Sequence, residues 1–113
     1  MLVAVTSDRA DVTDPADDGA DDFEAAVHDV VRRIPRGHVM SYGDVAEYVG
    51  AGGPRQVGAV MGRSDGELPW WRVLRADGTV AEPVRVRQLE LLASEGVPLR
   101  GGRVDLRAVG WPE

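Results

Sequence analysis

The stretch "SYGDVAEYVGAGGPRQVGAVMGR", Ser41 to Arg63, reads as two short helices joined by a glycine turn. Ser41, with Asp44 three residues on, is a capping signature, in which each side chain accepts from the other residue's backbone amide at the helix start. Val45, Ala46, Tyr48 and Val49 follow, and Gly50 ends the helix. After "AGG", Pro54 suits a first helical turn, and the next helix puts Val57, Val60 and Met61 on one side and Gly58 and Ala59 on another. The pair is a helix-turn-helix.

Upstream, Phe23, Val27, Val30, Val31 and Ile34 form one helical stripe that Pro35 stops, with Asp29, Arg32 and Arg33 off it. Downstream, "WRVLRADGTVA" reads as a hairpin, with Val73 and Leu74 on one strand, Asp77-Gly78 as the turn, and Thr79 and Val80 returning. "VRQLELLASEG" predicts a last helix with Leu89, Leu92 and Ala93 inward and Gly96 at its end. The tail "VPLRGGRVDLRAVGW" offers one strand, or two around "RGGR", and a Trp111 to pack on the body. The expected class is mainly α with a small β-hairpin, a winged helix-turn-helix.

A chain of 113 residues with 43% hydrophobic content suits one domain and a modest core. It has no cysteine, which excludes disulfides, thiolate metal sites and cysteine nucleophiles. His28 and His38 are isolated, so no metal or other cofactor is expected. With neither a signal peptide nor a membrane span in evidence, a cytoplasmic protein without a membrane partner is expected. The net charge of −6 is concentrated: residues 1–22 hold seven aspartates against Arg9, and residues 23–113 are neutral. Residues 1–22 have too little apolar surface to offset the entropy of ordering and are expected to be a disordered acidic tail, with the folded domain over 23–113.

The order of "IPRGHVMSYGDVAEYVG", "PRQVGAVM" and "PWWRVLRADGTV" resembles the DNA-binding domain of O6-alkylguanine-DNA alkyltransferases, across roughly residues 23 to 100. In those enzymes the last segment looks like Pro-Cys-His-Arg-Val, with the cysteine accepting the alkyl group and the histidine helping to deprotonate it through a water. Here it reads Pro69-Trp70-Trp71-Arg72-Val73. Tryptophan in place of the acceptor is the mark of alkyltransferase-like proteins. An indole has no accessible anion at neutral pH, so Trp70 cannot displace an alkyl group. Those relatives read Pro-Trp-His-Arg, and this chain departs from them at Trp71. Neighbours on a strand face opposite ways, so one tryptophan suits a pocket and the other packing; for Trp71 both readings stand.

The resemblance implies a non-enzymatic sensor that binds duplex DNA containing O6-alkylguanine through the minor groove. It would flip the base into a pocket of Trp70, Trp71, Tyr42 and Pro69 and flag it for nucleotide excision repair proteins. A monomer is expected. Arg55 matches the family's arginine finger, which fills the space of the extruded nucleotide; a planar guanidinium suits that stack. An isolated arginine at a helix start is otherwise a solvated or phosphate-facing charge. Tyr42 matches a tyrosine that presses on the phosphate 3' of the target. Gln56, Gly58, Ala59, Arg63 and Arg72 complete the expected DNA-binding set, although Gly58 and Ala59 equally suit helix packing and Arg72 suits holding the loop better than touching DNA. The family's hinge asparagine is missing, with Ser64 or Asp65 nearby, and "AEPVRV" looks shorter than its counterpart. The competing class is a winged-helix transcription regulator, for which the recognition helix offers Gln56 alone as a base reader.

Overall fold

The computed structural model describes residues 15–64 and 67–112, with the backbone alone over 15–21. Helix α1 spans Pro15–Arg33 and carries Val27, Val30 and Val31 into the core, joined there by Ile34 just past its end. It begins eight residues before Phe23, which corrects the expected tail: residues 15–22 are helical, while the rest of that tail lies outside the described residues. Strand β1 (Met40–Ser41) runs into α2 (Tyr42–Val49), and α3 (Pro54–Arg63) follows. The capping box at α2 is formed as expected, with the Asp44 amide 3.0 Å from Ser41 Oγ and the Ser41 amide 3.3 Å from Asp44 Oδ2. Gly50, at φ +86°, closes the helix by donating to the Ala46 carbonyl.

Helices α1, α2 and α3 enclose the first core, where Val27, Val31, Val45, Val57 and Val60 are buried together with Met40, Leu68 and Val73. Each such side chain contributes roughly 1.5–3 kcal/mol on leaving water. Trp111 packs on the same cluster and stacks against Tyr48 at 5.7 Å between centroids. A second core joins Val39, Leu74, Val80, Leu92, Val97 and Val104. It lies under α4 (Arg85–Ser94), which is inward at Leu92 and partly at Leu89. Ala93 is exposed and Gln88 is buried, contrary to the expected face.

The hairpin is displaced along the chain. Strand β2 (Val73–Leu74) pairs in parallel with β1, Met40 opposite Val73 and Ser41 opposite Leu74, so its edge is taken by a distant segment. The turn at Asp77-Gly78 does form, with Gly78 N donating to the Arg75 carbonyl and Arg75 N to the Thr79 carbonyl. No strand returns through Thr79 and Val80, and the Gly78 carbonyl accepts instead from the distant Val104 amide at 2.9 Å. The antiparallel pair is instead β3 (Leu99–Arg100) with β4 (Arg103–Val104), around Gly101-Gly102. A last short helix, α5, covers Leu106–Val109. No described helix is long and apolar enough to cross a membrane.

Candidate nucleic-acid interface

Pro69 ends in a tight turn that makes Trp70–Arg72 a single 3-10 turn ahead of β2. On this turn the two indoles stand edge to face, with centroids 6.0 Å apart and planes at 85°. They face different surroundings. Trp71 packs on the second core and donates from Nε1 to Glu95 Oε2 at 2.9 Å. Trp70 belongs to neither core cluster and lines a cavity of about 450 Å³. That size lies within the roughly 300–1,000 Å³ of small-molecule sites.

The cavity is built from five parts of the chain: Tyr42 at the start of α2, Gly58, Met61 and Gly62 on α3 with Ser64 just after it, Trp70 with Val73, an outer wall of Ala81, Pro83 and Val84, and Gln88 of α4. Burial raises the Tyr42 phenol above its ordinary pKa, and the charge of nearby Arg75 opposes that rise. Arg75 is exposed and was not singled out from the sequence; its place directly after Leu74 is the signal that could have found it. Pro69 and Trp71, both expected in the pocket, are not among its lining residues.

Helix α3 presents Arg55, Gly58, Ala59 and Gly62 along one face, by their spacing of three and four. Arg55 is exposed and makes no hydrogen bond or ion pair among the described residues. A Cβ added at Gly58 or Gly62 meets nothing within 4 Å, so helix packing does not account for either glycine. Gln56 is otherwise engaged, its Oε1 accepting from the Gly53 amide at 3.0 Å as the N-terminal cap of α3. Arg63 is tied by a 2.9 Å ion pair to Glu24 of α1.

Arg72 is an internal strut, the loop-holding role that suits it better than a DNA contact. It is 15% exposed, donates from Nε and Nη2 to both Glu95 oxygens at 3.0 and 2.6 Å, and reaches the Ile34 carbonyl at 2.8 Å. Its guanidinium also lies 5.5 Å from the Trp71 ring centroid. Glu95 further accepts from the Gly37 amide at 3.2 Å. Burial alone would raise its carboxyl, but the bonds from Arg72, Trp71 and Gly37 and the Arg72 charge outweigh that and hold it down to about 2. Sequence reasoning missed Glu95. Ser64, one hinge candidate, closes α3 by donating to the Met61 carbonyl, and Asp65, the other, lies outside the described residues.

A larger concavity of about 710 Å³ lies between α2 and the C-terminal segment, lined by Asp44, Glu47, Tyr48 and Trp111 among others. Its two acids outnumber Arg107, the one base in its lining, and make it a poor seat for phosphate. Among the described residues no group of three His, Cys, Asp or Glu side chains could hold a metal ion.

Residues 22–97 match the family model for the 6-O-methylguanine DNA methyltransferase DNA-binding domain. The chain belongs to that family. Within it, the chain is 40% identical over 97 residues to the DNA base-flipping protein of Escherichia coli, covering 80% of this chain and 75% of the relative. It is 38% identical over 86 residues to alkyltransferase-like protein 1 of Schizosaccharomyces pombe, covering 70% and 80%. The crystal structure of S. pombe Atl1 with damaged DNA containing O6-carboxymethylguanine superposes with a TM-score of 0.75 at 33% identity, covering 82% of this chain and 97% of that one. This 6-O-methylguanine DNA methyltransferase family member is thus similar in sequence and fold to proteins named for base flipping and for alkyltransferase likeness.

Proposed function

We propose that this protein is a non-enzymatic damage sensor that binds duplex DNA through the minor groove and flips O6-alkylguanine into the Trp70 cavity. The observation that carries the reading is Trp70 itself, which the sequence resemblance sets in the place of the enzymes' acceptor. It faces a cavity between Tyr42 and a glycine-lined helix that starts with an exposed arginine. Extruding a base costs a few kcal/mol, and stacking on an aromatic ring returns about 1–3 kcal/mol. Arg55 would fill the vacated stack, Tyr42 would press the phosphate outward, and the bare surface at Gly58 and Gly62 would let α3 approach the groove closely. The apolar wall of Ala81, Pro83 and Val84 suits an alkyl group. The relatives' names support the reading: one is called a DNA base-flipping protein, another was solved on damaged DNA.

The lesion would be held unrepaired, since the sequence contains no cysteine. The protein would act as a cytoplasmic monomer that hands the lesion to nucleotide excision repair proteins. A sequence-reading regulator fits less well, because Gln56, its one base reader, uses its carbonyl to cap α3.

Adding the protein to a duplex with a fluorescent base analogue at the target should raise its emission as the base leaves the stack; unchanged emission would mean that nothing is flipped. No label should pass from methyl-labelled O6-methylguanine DNA to the protein. Trp70→Cys should restore little transfer, because Trp71, bonded to Glu95, cannot serve as the proton relay that generates a thiolate. Rapid single-turnover methylation of that variant would show the relay to be dispensable. Gly58→Ala should leave stability equal or up to about 1 kcal/mol higher, by helix propensity, while weakening DNA binding. A loss of stability with DNA affinity intact would assign Gly58 to packing instead.

A further inference from the structure

The concavity of about 710 Å³ between α2 and the C-terminal segment takes no part in holding a base. Its lining includes an aromatic pair, for Tyr48 and Trp111 stack with centroids 5.7 Å apart and planes at 25°. Trp111 packs on the first core while Tyr48 is 44% exposed, so the stack is anchored on one side and open on the other. Asp44 and Glu47 of α2 belong to the same lining, and both are exposed. Asp44 spends one oxygen, Oδ2, on the capping box, and Glu47 makes no hydrogen bond or ion pair among the described residues. Against these two acids the lining holds one base, Arg107.

An open aromatic face attracts a cation, and the two carboxylates favour the same charge. A guanidinium meets both needs, since it is planar enough to lie on a ring and carries paired N–H donors for a carboxylate. The same charges disfavour DNA phosphate, and they disfavour residues 1–14 of this chain, which hold three aspartates against Arg9. The volume suits a short run of residues rather than one side chain. We propose that this groove docks an arginine-containing basic segment of a partner protein, with a guanidinium on the Tyr48–Trp111 stack and ion pairs to Asp44 and Glu47. The inference rests on the hand-off to a partner proposed above and gives it a surface. Asp44, Glu47 and Tyr48 follow Tyr42 by two, five and six positions and so lie on the side of α2 away from it, and the groove shares no lining residue with the Trp70 cavity. The partner therefore docks while the lesion is held.

The test titrates the protein with the peptide acetyl-Gly-Arg-Gly-Arg-Gly-amide and with its glutamate counterpart, read by the protein's amide and indole N–H resonances. The arginine peptide should shift the Trp111 indole and the amides around Glu47 and Tyr48 in a saturable way, and the glutamate peptide should not. Glu47→Arg should weaken the arginine peptide by roughly three- to tenfold, and Trp70→Ala should leave its affinity unchanged. Glu47 is exposed and unpaired among the described residues, so its replacement spares the fold. No saturable shift at peptide concentrations up to about 10 mM overturns the docking site, and so does an affinity that Glu47→Arg leaves intact. Self-association of the free protein that Glu47→Arg abolishes overturns it in favour of a second copy. Equal affinities for damaged and undamaged duplexes beside intact peptide binding would remove the lesion reading and leave the docking site standing.

Discussion

Replacing Glu95 by glutamine should cost roughly 3–5 kcal/mol of folding stability, the expected penalty for stranding a buried charge. Its side chain is 4% exposed and receives four hydrogen bonds, two from Arg72, one from Trp71 and one from the Gly37 amide. A glutamine has one accepting oxygen, and its amide nitrogen would face a donor while Arg72 lost its counter-charge. The pH dependence has a defined sign. The carboxyl is held at about 2, below its ordinary 4.5, so the stabilisation is complete above about pH 4.5 and is lost as pH falls toward 2. The amount at stake is on the order of 3 kcal/mol, and Glu95→Gln should lack that part of the acid limb. Denaturant unfolding of both proteins at pH 7 and pH 3 measures it. Equal midpoints at pH 7 would show that the cluster contributes no stability.

Trp70→Ala should weaken binding to an O6-methylguanine duplex by roughly five- to 150-fold, the equivalent of losing one base-aromatic stack. It should leave folding stability almost unchanged, because Trp70 belongs to neither core cluster. Trp71→Ala should do the opposite, removing a packed ring and a donor to Glu95. Arg55→Ala should resemble Trp70→Ala and weaken lesion binding more than binding to undamaged duplex, since a finger acts once the base has left. If Trp70→Ala unfolds the protein while lesion affinity survives in Trp71→Ala, the two tryptophans have been assigned the wrong way round.

What could be read from the chain and what could not divide along sequence distance. Helix α2, its Ser41–Asp44 cap and the buried stripe of Val27, Val30, Val31 and Ile34 depend on residues a few positions apart, and periodicity exposes them. The wing does not, because β2 finds its partner at Met40–Ser41, far upstream, and the Gly78 carbonyl finds Val104. A reading limited to adjacent segments assigns both to a local hairpin. The tryptophan pair shows the same limit: which indole is internal is decided by Glu95, 24 residues beyond Trp71. Gln88 was hidden for a related reason. It stands four positions before Leu92 on the inward face of α4, and only its polar side chain, matched there by the Trp71 and Val73 carbonyls, argues against burial. Arg72 could be read as holding its loop, but its partners, Glu95 and the Ile34 carbonyl, lie too far along the chain to be named from the sequence.

The central claim, recognition of an alkylated base without repair, is tested most directly by titrating the protein into one duplex with and without a single O6-methylguanine at matched ionic strength. Preference for the lesion of at least roughly fivefold is the predicted result, from the stacking that only an extruded base can offer Trp70. Equal affinities for the two duplexes would contradict it.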